Sequence, residues 1–155
     1  MTGMSGSSRV TVRPIAESEF EGVLPLIAGY QRFYQADPDE ARNRDFFRRF
    51  LEPSDDGLLL GAWREGELVG FATLYWTFSS TRAAEVAVMN DLFVADGVRG
   101  RGIGLALIEA SAAAARARGC AHLEWLTHVD NRRAQRLYEQ LPTERSAWFG
   151  YEIEL

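Results

Sequence analysis

The spacing of apolar residues predicts one strand and two helices in the first third of the chain. Apolar and polar residues alternate from Arg9 to Pro14, as they do along a strand with one buried face. From Phe20 to Tyr34 the apolar residues recur at helical spacing, which predicts a helix that Pro25 kinks or restarts. The run Asp37-Pro38-Asp39-Glu40 combines a capping residue, a proline and two acids, and it predicts the start of a second helix.

Longer apolar segments predict the remaining strands, which cover Leu58 to Trp63, Glu67 to Phe78, Glu85 to Val94, His122 to Thr127 and Trp148 to Leu155. A tight turn at Arg64-Glu65-Gly66 joins the first two of them. An alanine-rich helix ends near Arg118 with Gly119 as its C-cap, and a short helix covers Arg132 to Gln140. The resulting order, β-α-α-β-β-β-α-β-α-β, predicts an α/β fold with a mixed, mostly antiparallel central sheet and flanking helices.

Length and composition predict a single cytoplasmic domain. With 155 residues, 46% of them hydrophobic and 25% charged, the chain can bury a core of its own. Residues 1–8 are small and polar and lack the basic start and apolar core of a signal peptide, so we expect a disordered tail there and a domain that covers residues 9–155. No apolar run approaches the ~20 residues of a membrane helix. The net charge of −5 disfavours nonspecific nucleic-acid binding. The single Cys120 cannot form an internal disulfide or a cysteine-based metal site, and no metal is predicted.

A glycine-rich turn between the strand ending at Val94 and the alanine-rich helix is the clearest ligand motif. Three glycines alternate along Gly100-Arg101-Gly102-Ile103-Gly104 and let the backbone approach a ligand closely. Arg99 and Arg101 add two cations beside the free amides of a helix N-terminus, where anions bind. The turn therefore predicts a site for a phosphate or pyrophosphate.

Two other phosphate-binding motifs fit this turn less well. The dinucleotide fingerprint G-x-G-x-x-G requires a glycine where Leu105 stands, although Glu124 follows at about the distance of a ribose ligand. A P-loop requires Gly-Lys-Ser/Thr after the turn, and the sequence has no such run there.

The turn and its flanks resemble the GCN5-related N-acetyltransferases, the GNAT superfamily. Arg99-x-x-Gly102-x-Gly104 matches the acetyl-CoA signature R/Q-x-x-G-x-G/A of that family, and Asn131-x-x-Ala134-x-x-Leu137-Tyr138 resembles its downstream segment. The similarity covers Phe71 to Tyr138. It is nearest to the diamine and polyamine enzymes and to the yeast-type histone and D-amino-acid acetylating branch. It implies a GNAT-type fold in which the strand ending at Val94 splays from its neighbour.

The resemblance also implies the cofactor and the reaction. Acetyl-CoA would bind in the splay and give its acetyl group directly to a primary amine. The residues implied to hold it are Leu92, Phe93, Val94, Arg99, Gly100, Arg101, Gly102, Ile103, Gly104, Leu105, Asn131 and Ala134. Direct transfer needs no protein nucleophile, and the sequence has no evident Ser-His-Asp or Cys-His arrangement.

Tyr138 matches the general acid of the family, because a phenol can donate a proton to a departing thiolate. The general base has more than one candidate. The related polyamine enzymes carry a glutamate where this chain has Asn90, and an amide cannot accept the proton. Asp91 and His128 are the candidates for the base, Glu85 is a weaker one, and a water chain without a single dominant base is a further alternative.

The amine acceptor is predicted to be a small molecule, such as a diamine, an amino acid or an amine metabolite. Tyr34 and Trp76 are the preferred acceptor-binding residues, since their elements flank the acceptor side in related enzymes. A protein lysine or N-terminal acetyltransferase is one alternative, and a CoA-binding regulatory module with little turnover is another. Related families favour a homodimer.

Overall fold

A five-stranded sheet runs through residues 9–155, the part of the chain described by this computed structural model. The predicted tail, residues 1–8, lies outside the described residues. The sheet has the order β1-β2-β3-β4-β5, with antiparallel pairing up to β4 and parallel pairing between β4 and β5. This confirms the predicted mixed, mostly antiparallel α/β fold. The strands are β1 Val10–Pro14, β2 Gly57–Arg64, β3 Glu67–Ser79, β4 Ala84–Val94 and β5 Leu123–Glu124.

Four α-helices flank the sheet: α1 Phe20–Phe33, α2 Glu40–Phe47, α3 Ile103–Arg118 and α4 Arg132–Tyr138. Pro25 lies inside α1, which continues past it without restarting. The cap of α2 is Asp39 rather than Asp37, because the Asp39 carboxylate accepts a hydrogen bond from the Arg42 amide at 2.9 Å. Gly119 does end α3, with a φ of 88° that favours glycine.

The sheet separates two hydrophobic cores. Leu60, Leu74 and Leu107 belong to the core that α3 covers. Ile27 and Phe71 belong to the core on the α1 side of the sheet. The two faces of β4 therefore contribute to different cores, Leu92 and Val94 to the first and Phe93 to the second.

A β-bulge interrupts the regular alternation of β4. Thr73 of β3 faces Asp91, but the next residue, Leu74, faces Met89, so Asn90 is the extra residue. Met89 packs into the α3-side core. Asp91, two residues on, instead interacts with Tyr30 of α1. The bulge thus turns Asp91 toward the α1 side of the sheet.

Strands β4 and β5 pair at only two positions, Ala87 with Leu123 and Val88 with Glu124. Beyond Val88 they separate, so the predicted strand from His122 to Thr127 was too long. The predicted final strand, Trp148 to Leu155, was wrong for the single chain. Residues 142–155 are all exposed and form no strand. Alternating apolar residues indicate which face of a strand would be buried, but a strand forms only where a neighbouring strand pairs with it.

Candidate active site

A cavity of about 380 Å³ lies where β4 separates from β5. Its walls come from the end of α1, the end of β4, the glycine-rich turn, the start of α3 and α4. Arg101 is exposed and is not among the lining residues. The other predicted cofactor residues all line this one cavity: Leu92, Phe93, Val94, Arg99, Gly100, Gly102, Ile103, Gly104, Leu105, Asn131 and Ala134.

The glycine-rich turn presents the start of α3 to the cavity. Gly100 and Gly102 both have a φ of 77°, a conformation that L side chains rarely adopt. Gly102 is the N-cap of α3, and its carbonyl accepts from the Ala106 amide at 3.0 Å. The amides of the first helical turn have no carbonyl partner within the helix, and residues 103–105 border the cavity. This wall therefore offers hydrogen-bond donors at the positive end of a helix dipole.

Arg99 folds along the cavity wall. Its Nε donates to the Val94 carbonyl at 3.0 Å, and its Nη2 lies 3.3 Å from Asp96 Oδ1. The guanidinium carbon is 5.9 Å from the ring centre of Phe33 and 5.6 Å from that of Phe93. These contacts hold a cation between β4 and α1, where it borders the same space as the amides of α3.

Helices α3 and α4 meet closely at the cavity. A Cβ placed on Gly104 would lie 3.0 Å from Leu137 Cδ2, so an alanine here would require the Leu137 side chain to shift by a few tenths of an ångström. Asn131 begins α4, since its Oδ1 accepts from the Ala134 amide at 3.2 Å. The Asn131 segment is therefore a helix start that faces the start of α3.

Tyr138 ends α4 on the cavity wall. Its ring packs edge to face against Trp125, with ring centres 5.3 Å apart. Burial is the main cause that raises the pKa of Tyr138, and Tyr34, which also lines the cavity, adds to the increase. The phenol therefore keeps its proton at neutral pH and is available as a proton donor.

Asp91 is a buried carboxylate, with 3% of its surface exposed. Desolvation raises the pKa of Asp91, and hydrogen bonding to Thr73, Tyr30 and Asn90 opposes the increase. The Asn90 contact has full hydrogen-bond geometry at 3.0 Å. Within residues 9–155, Asp91 Oδ2 and Thr73 Oγ1 are buried without a partner of such geometry. Asp91 does not line the cavity itself, but its neighbour Tyr30 does.

Comparison with known proteins agrees with this arrangement. The family model described as "Acetyltransferase (GNAT) family" matches residues 24–141, which include every residue of the cavity wall. The chain belongs to the GNAT acetyltransferase family. It is therefore an N-acetyltransferase.

The relatives of this GNAT enzyme cover most of its length. It is 33% identical to the uncharacterized N-acetyltransferase YhfO of Bacillus subtilis, over 90% of this chain and 93% of YhfO. It is 31% identical to the D-amino-acid N-acetyltransferase HPA3 of Saccharomyces cerevisiae, over 87% of this chain and 85% of that protein. Its fold is similar to that of the aminoglycoside N-acetyltransferase AAC(6')-Iy, solved in complex with CoA, with a TM-score of 0.81, 18% identity and 99% of each chain covered.

Two further predicted site residues of this GNAT enzyme, His128 and Trp76, lie apart from the cavity wall. The His128 side chain is 69% exposed, and its Nδ1 lies 3.6 Å from Asp130 Oδ2. Trp76 packs against the α3-side core, with the Arg118 guanidinium 5.0 Å from its ring centre. Of the two predicted acceptor residues, only Tyr34 lines the cavity.

Two cations of the GNAT cavity were not predicted from the sequence. Arg133 and Arg136 of α4 line it, one helical turn apart. Their spacing of three places both on one helix face, which is the signal that the sequence offered.

Among residues 9–155 no group of three or more His, Cys, Asp and Glu side chains is placed to hold a metal ion. None of the helices in this part of the chain combines the length and the apolar character of a membrane span.

Proposed function

We propose that the cavity binds acetyl-CoA and that the enzyme transfers the acetyl group to the primary amine of a small molecule. One observation carries this proposal: the end of β4, the start of α3 and the start of α4 converge on a single cavity that Tyr138 also borders. A cofactor with an anionic end and a long arm needs such a combination of helix amides, cations and an open strand edge.

The walls fit acetyl-CoA at several points. The amides of residues 103–105, with Arg99, would bind the pyrophosphate. The edge of β4 beyond Val88 has no strand neighbour on its β5 side within residues 9–155, so the backbone at Leu92 and the amide of Val94 would be available for the pantetheine arm, whereas the Val94 carbonyl already accepts from Arg99. Arg133 and Arg136 add positive charge along α4. When bound, acetyl-CoA supplies the acetyl group as a thioester.

The chemistry assigned to the protein is proton transfer. Tyr138, which stays protonated at neutral pH, would donate to the departing thiolate. Asp91 would accept the proton of the amine, either directly or through water, with His128 as the competing base. Cys120 lies outside the cavity wall, and burial raises the pKa of its thiol, which disfavours an acetyl-cysteine intermediate.

The acceptor is proposed to be a small amine that enters beside α1. Tyr30 and Tyr34 border the cavity there, with ring centres 4.9 Å apart, and both interact electrostatically with Asp91. Aromatic rings beside a carboxylate suit a cationic amine. By their names, HPA3 acts on D-amino acids and AAC(6')-Iy on aminoglycosides, so both classes belong among the first acceptors to test.

A panel of acceptors tests the proposal. D-amino acids, diamines, aminoglycosides and a lysine-containing peptide are each incubated with acetyl-CoA, and free thiol is measured, with Tyr138→Phe as the low-activity control. Turnover of a small amine but not of the peptide supports the proposal. If only the peptide is acetylated, the acceptor is a protein and the proposal of a small-molecule acceptor is wrong.

We further propose that the enzyme is a cytoplasmic homodimer.

A further inference from the structure

Asp91, the proposed base, is closed off from the cavity in which the amine would react. Only 3% of its surface is exposed, and it is not among the lining residues. Its Oδ1 accepts the hydrogen bond of Asn90, whereas its Oδ2 is buried without a partner of full hydrogen-bond geometry among residues 9–155. A proton that passes from the cavity to Oδ2 therefore needs a group between them.

Tyr30 of α1 lies between the cavity and this carboxylate. The side chains within hydrogen-bonding reach of Asp91 are those of Thr73, Tyr30 and Asn90. Of these three, only Tyr30 also lines the cavity. Its hydroxyl is therefore the group that can contact a bound amine on one side and the buried carboxylate on the other.

The ring of Tyr30 is fixed, but its hydroxyl is not committed to one partner. The ring packs edge to face against Phe71 and Phe93, with ring centres 6.1 Å and 6.4 Å away. The hydroxyl donates to the Asn90 carbonyl at 3.4 Å, well beyond the about 2.7–2.8 Å that is usual for an O–H···O bond. Because a hydroxyl proton rotates to suit its surroundings, the group can donate to Asp91 and accept from a ligand in the cavity.

Thr73 suits the buried carboxyl to both of its protonation states. It faces Asp91 across the β3–β4 pair, and its Oγ1 is buried without a partner of full geometry within the described chain. A hydroxyl can donate to an ionised carboxylate or accept from a protonated one. Asp91 can therefore gain or lose a proton without leaving a buried polar group unpaired.

Asp91 is also the group of this region whose charge changes below neutral pH. The other titratable groups that face Tyr30 are Tyr34 of α1 and Tyr75 of β3. Burial raises the pKa of Tyr34, and it raises the pKa of Tyr75 to about 12, so both phenols stay protonated. Arg99 brings a cation to the same cavity and keeps its charge throughout.

We propose that Tyr30 is a catalytic residue that relays the proton of the acceptor ammonium to Asp91. The phenol oxygen takes a proton from the ammonium nitrogen while its own proton passes to Asp91 Oδ2. Tyr30 therefore ends neutral, Asp91 becomes protonated and the amine becomes a neutral nucleophile. The inference deepens the proposed function and rests on it.

The remaining protons balance as follows. The amine nitrogen forms its bond to the acetyl carbon as the carbon–sulfur bond breaks, and Tyr138 gives its proton to the sulfur. The nitrogen releases its second proton, which restores Tyr138. Asp91 returns its proton to solvent through Tyr30 after the product leaves, so each turnover releases one proton.

The pH dependence of kcat/KM in Tyr30→Phe tests the relay, with an amine that the unaltered enzyme acetylates. The substitution keeps the ring, and kcat/KM should fall by about 10²-fold and lose its acidic limb, because Asp91 no longer receives the proton. Tyr75→Phe removes a phenol that also interacts with Asp91 but lies outside the cavity wall, so it should keep the rate and the limb. If Tyr30→Phe raises KM but keeps kcat and the limb, Tyr30 only binds the amine and the proposal is overturned.

The double variant of Tyr30→Phe and Asp91→Asn tests whether the two groups act together. Residues that act as a unit have strongly non-additive effects, so the double variant should be about as slow as the slower single variant. Losses that multiply mean independent roles and overturn the relay.

The contact itself can be measured without acetyl-CoA. Carbon NMR of labelled aspartate follows the titration of the Asp91 carboxyl, and Asp91→Asn identifies its signal. The hydrogen bond from Tyr30 favours the ionised form, so the pKa of Asp91 should be higher in Tyr30→Phe and unchanged in Tyr75→Phe. An unchanged pKa in Tyr30→Phe overturns the relay.

The two proposals fail in different ways. If the unaltered protein acetylates no amine, the proposed function is wrong and the relay is wrong with it. If the unaltered protein is active and Tyr30→Phe keeps its rate and its acidic limb, the relay alone is wrong.

Discussion

The side-chain amide of Asn90 donates a hydrogen bond to Asp91 Oδ1 at 3.0 Å, between residues that are adjacent on β4. Asn90 is exposed and Asp91 is buried, and the bulge at Asn90 turns Asp91 toward Tyr30. The related polyamine enzymes carry a glutamate where this chain has Asn90. In this chain Asn90 instead donates a hydrogen bond to the Asp91 carboxylate. That bond favours the ionised form of Asp91 and opposes the effect of burial on its pKa.

Replacing Asp91 by Asn should change how stability depends on pH. Burial raises the pKa of Asp91 above its ordinary 3.8, so the folded state binds this proton more tightly than the unfolded state. The contribution of Asp91 to stability is therefore greatest below about pH 4, and it is lost as pH rises through the raised pKa. Asn cannot ionise and avoids that loss. We expect the stability of Asp91→Asn relative to the natural protein to increase between pH 3.5 and pH 7, by about 1.4 kcal/mol per pKa unit.

Urea denaturation at both pH values measures this difference. Glu154→Asn, a change at an exposed position, is the control and should give a difference that is independent of pH. A relative stability of Asp91→Asn that falls with pH would mean that native contacts of the carboxylate outweigh its desolvation.

Asp91 and His128 can be separated as candidate bases by the pH dependence of kcat/KM. Asp91→Asn should lower turnover by about 10²-fold and flatten the acidic limb, because the group that accepts the proton is gone. His128→Gln should leave the rate and the limb nearly unchanged, since its ring is exposed and outside the cavity wall. The reverse pattern would assign the base to His128, and two unchanged profiles would assign it to water.

Tyr138→Phe should lower kcat by about 10²-fold or more while acetyl-CoA affinity changes little. The substitution keeps the ring that packs on Trp125 and removes only the proton donor. Single-turnover kinetics measure the chemical step, and isothermal titration measures affinity. Tyr34→Phe is the comparison, and we expect it to act mainly on KM for the amine. A normal chemical step in Tyr138→Phe would make this tyrosine a packing residue.

Acetyl-CoA should stabilise the protein, and Gly102→Asp should remove that effect. At about 100 times its dissociation constant, a ligand adds about 2.7 kcal/mol of stability. Gly97→Asp is a matched control, because Gly97 and Gly102 have φ values of 84° and 77° and a Cβ on either meets no atom within 4 Å. Both variants carry similar strain and charge, but only Gly102 lines the cavity. Thermal unfolding with and without acetyl-CoA distinguishes them, and a retained shift in Gly102→Asp would exclude the turn as the anion site.

The amino-acid sequence determined those parts of the protein that depend on local rules. Apolar segments located β2, β3 and β4 to within a few residues, because strands buried on both faces are apolar throughout. The alanine-rich stretch that Gly119 ends located α3 equally well. Glycine at Gly119 and at Gly102 follows from backbone conformations that other residues disfavour. The convergence of the Arg99-x-x-Gly102-x-Gly104 signature and Asn131 on one cavity was available only as a family resemblance.

Only the tertiary structure decided which residues face one another. The bulge at Asn90 places Met89 and Asp91 on opposite faces of the sheet, and it depends on the pairing of β4 with β3. The early end of β5 depends on the splay from β4, and the exposure of Arg101 and Trp148 depends on where neighbouring elements lie. Alternating apolar and polar residues determine which face of a strand is buried. Which strand pairs with it is determined by contacts between residues far apart in the chain.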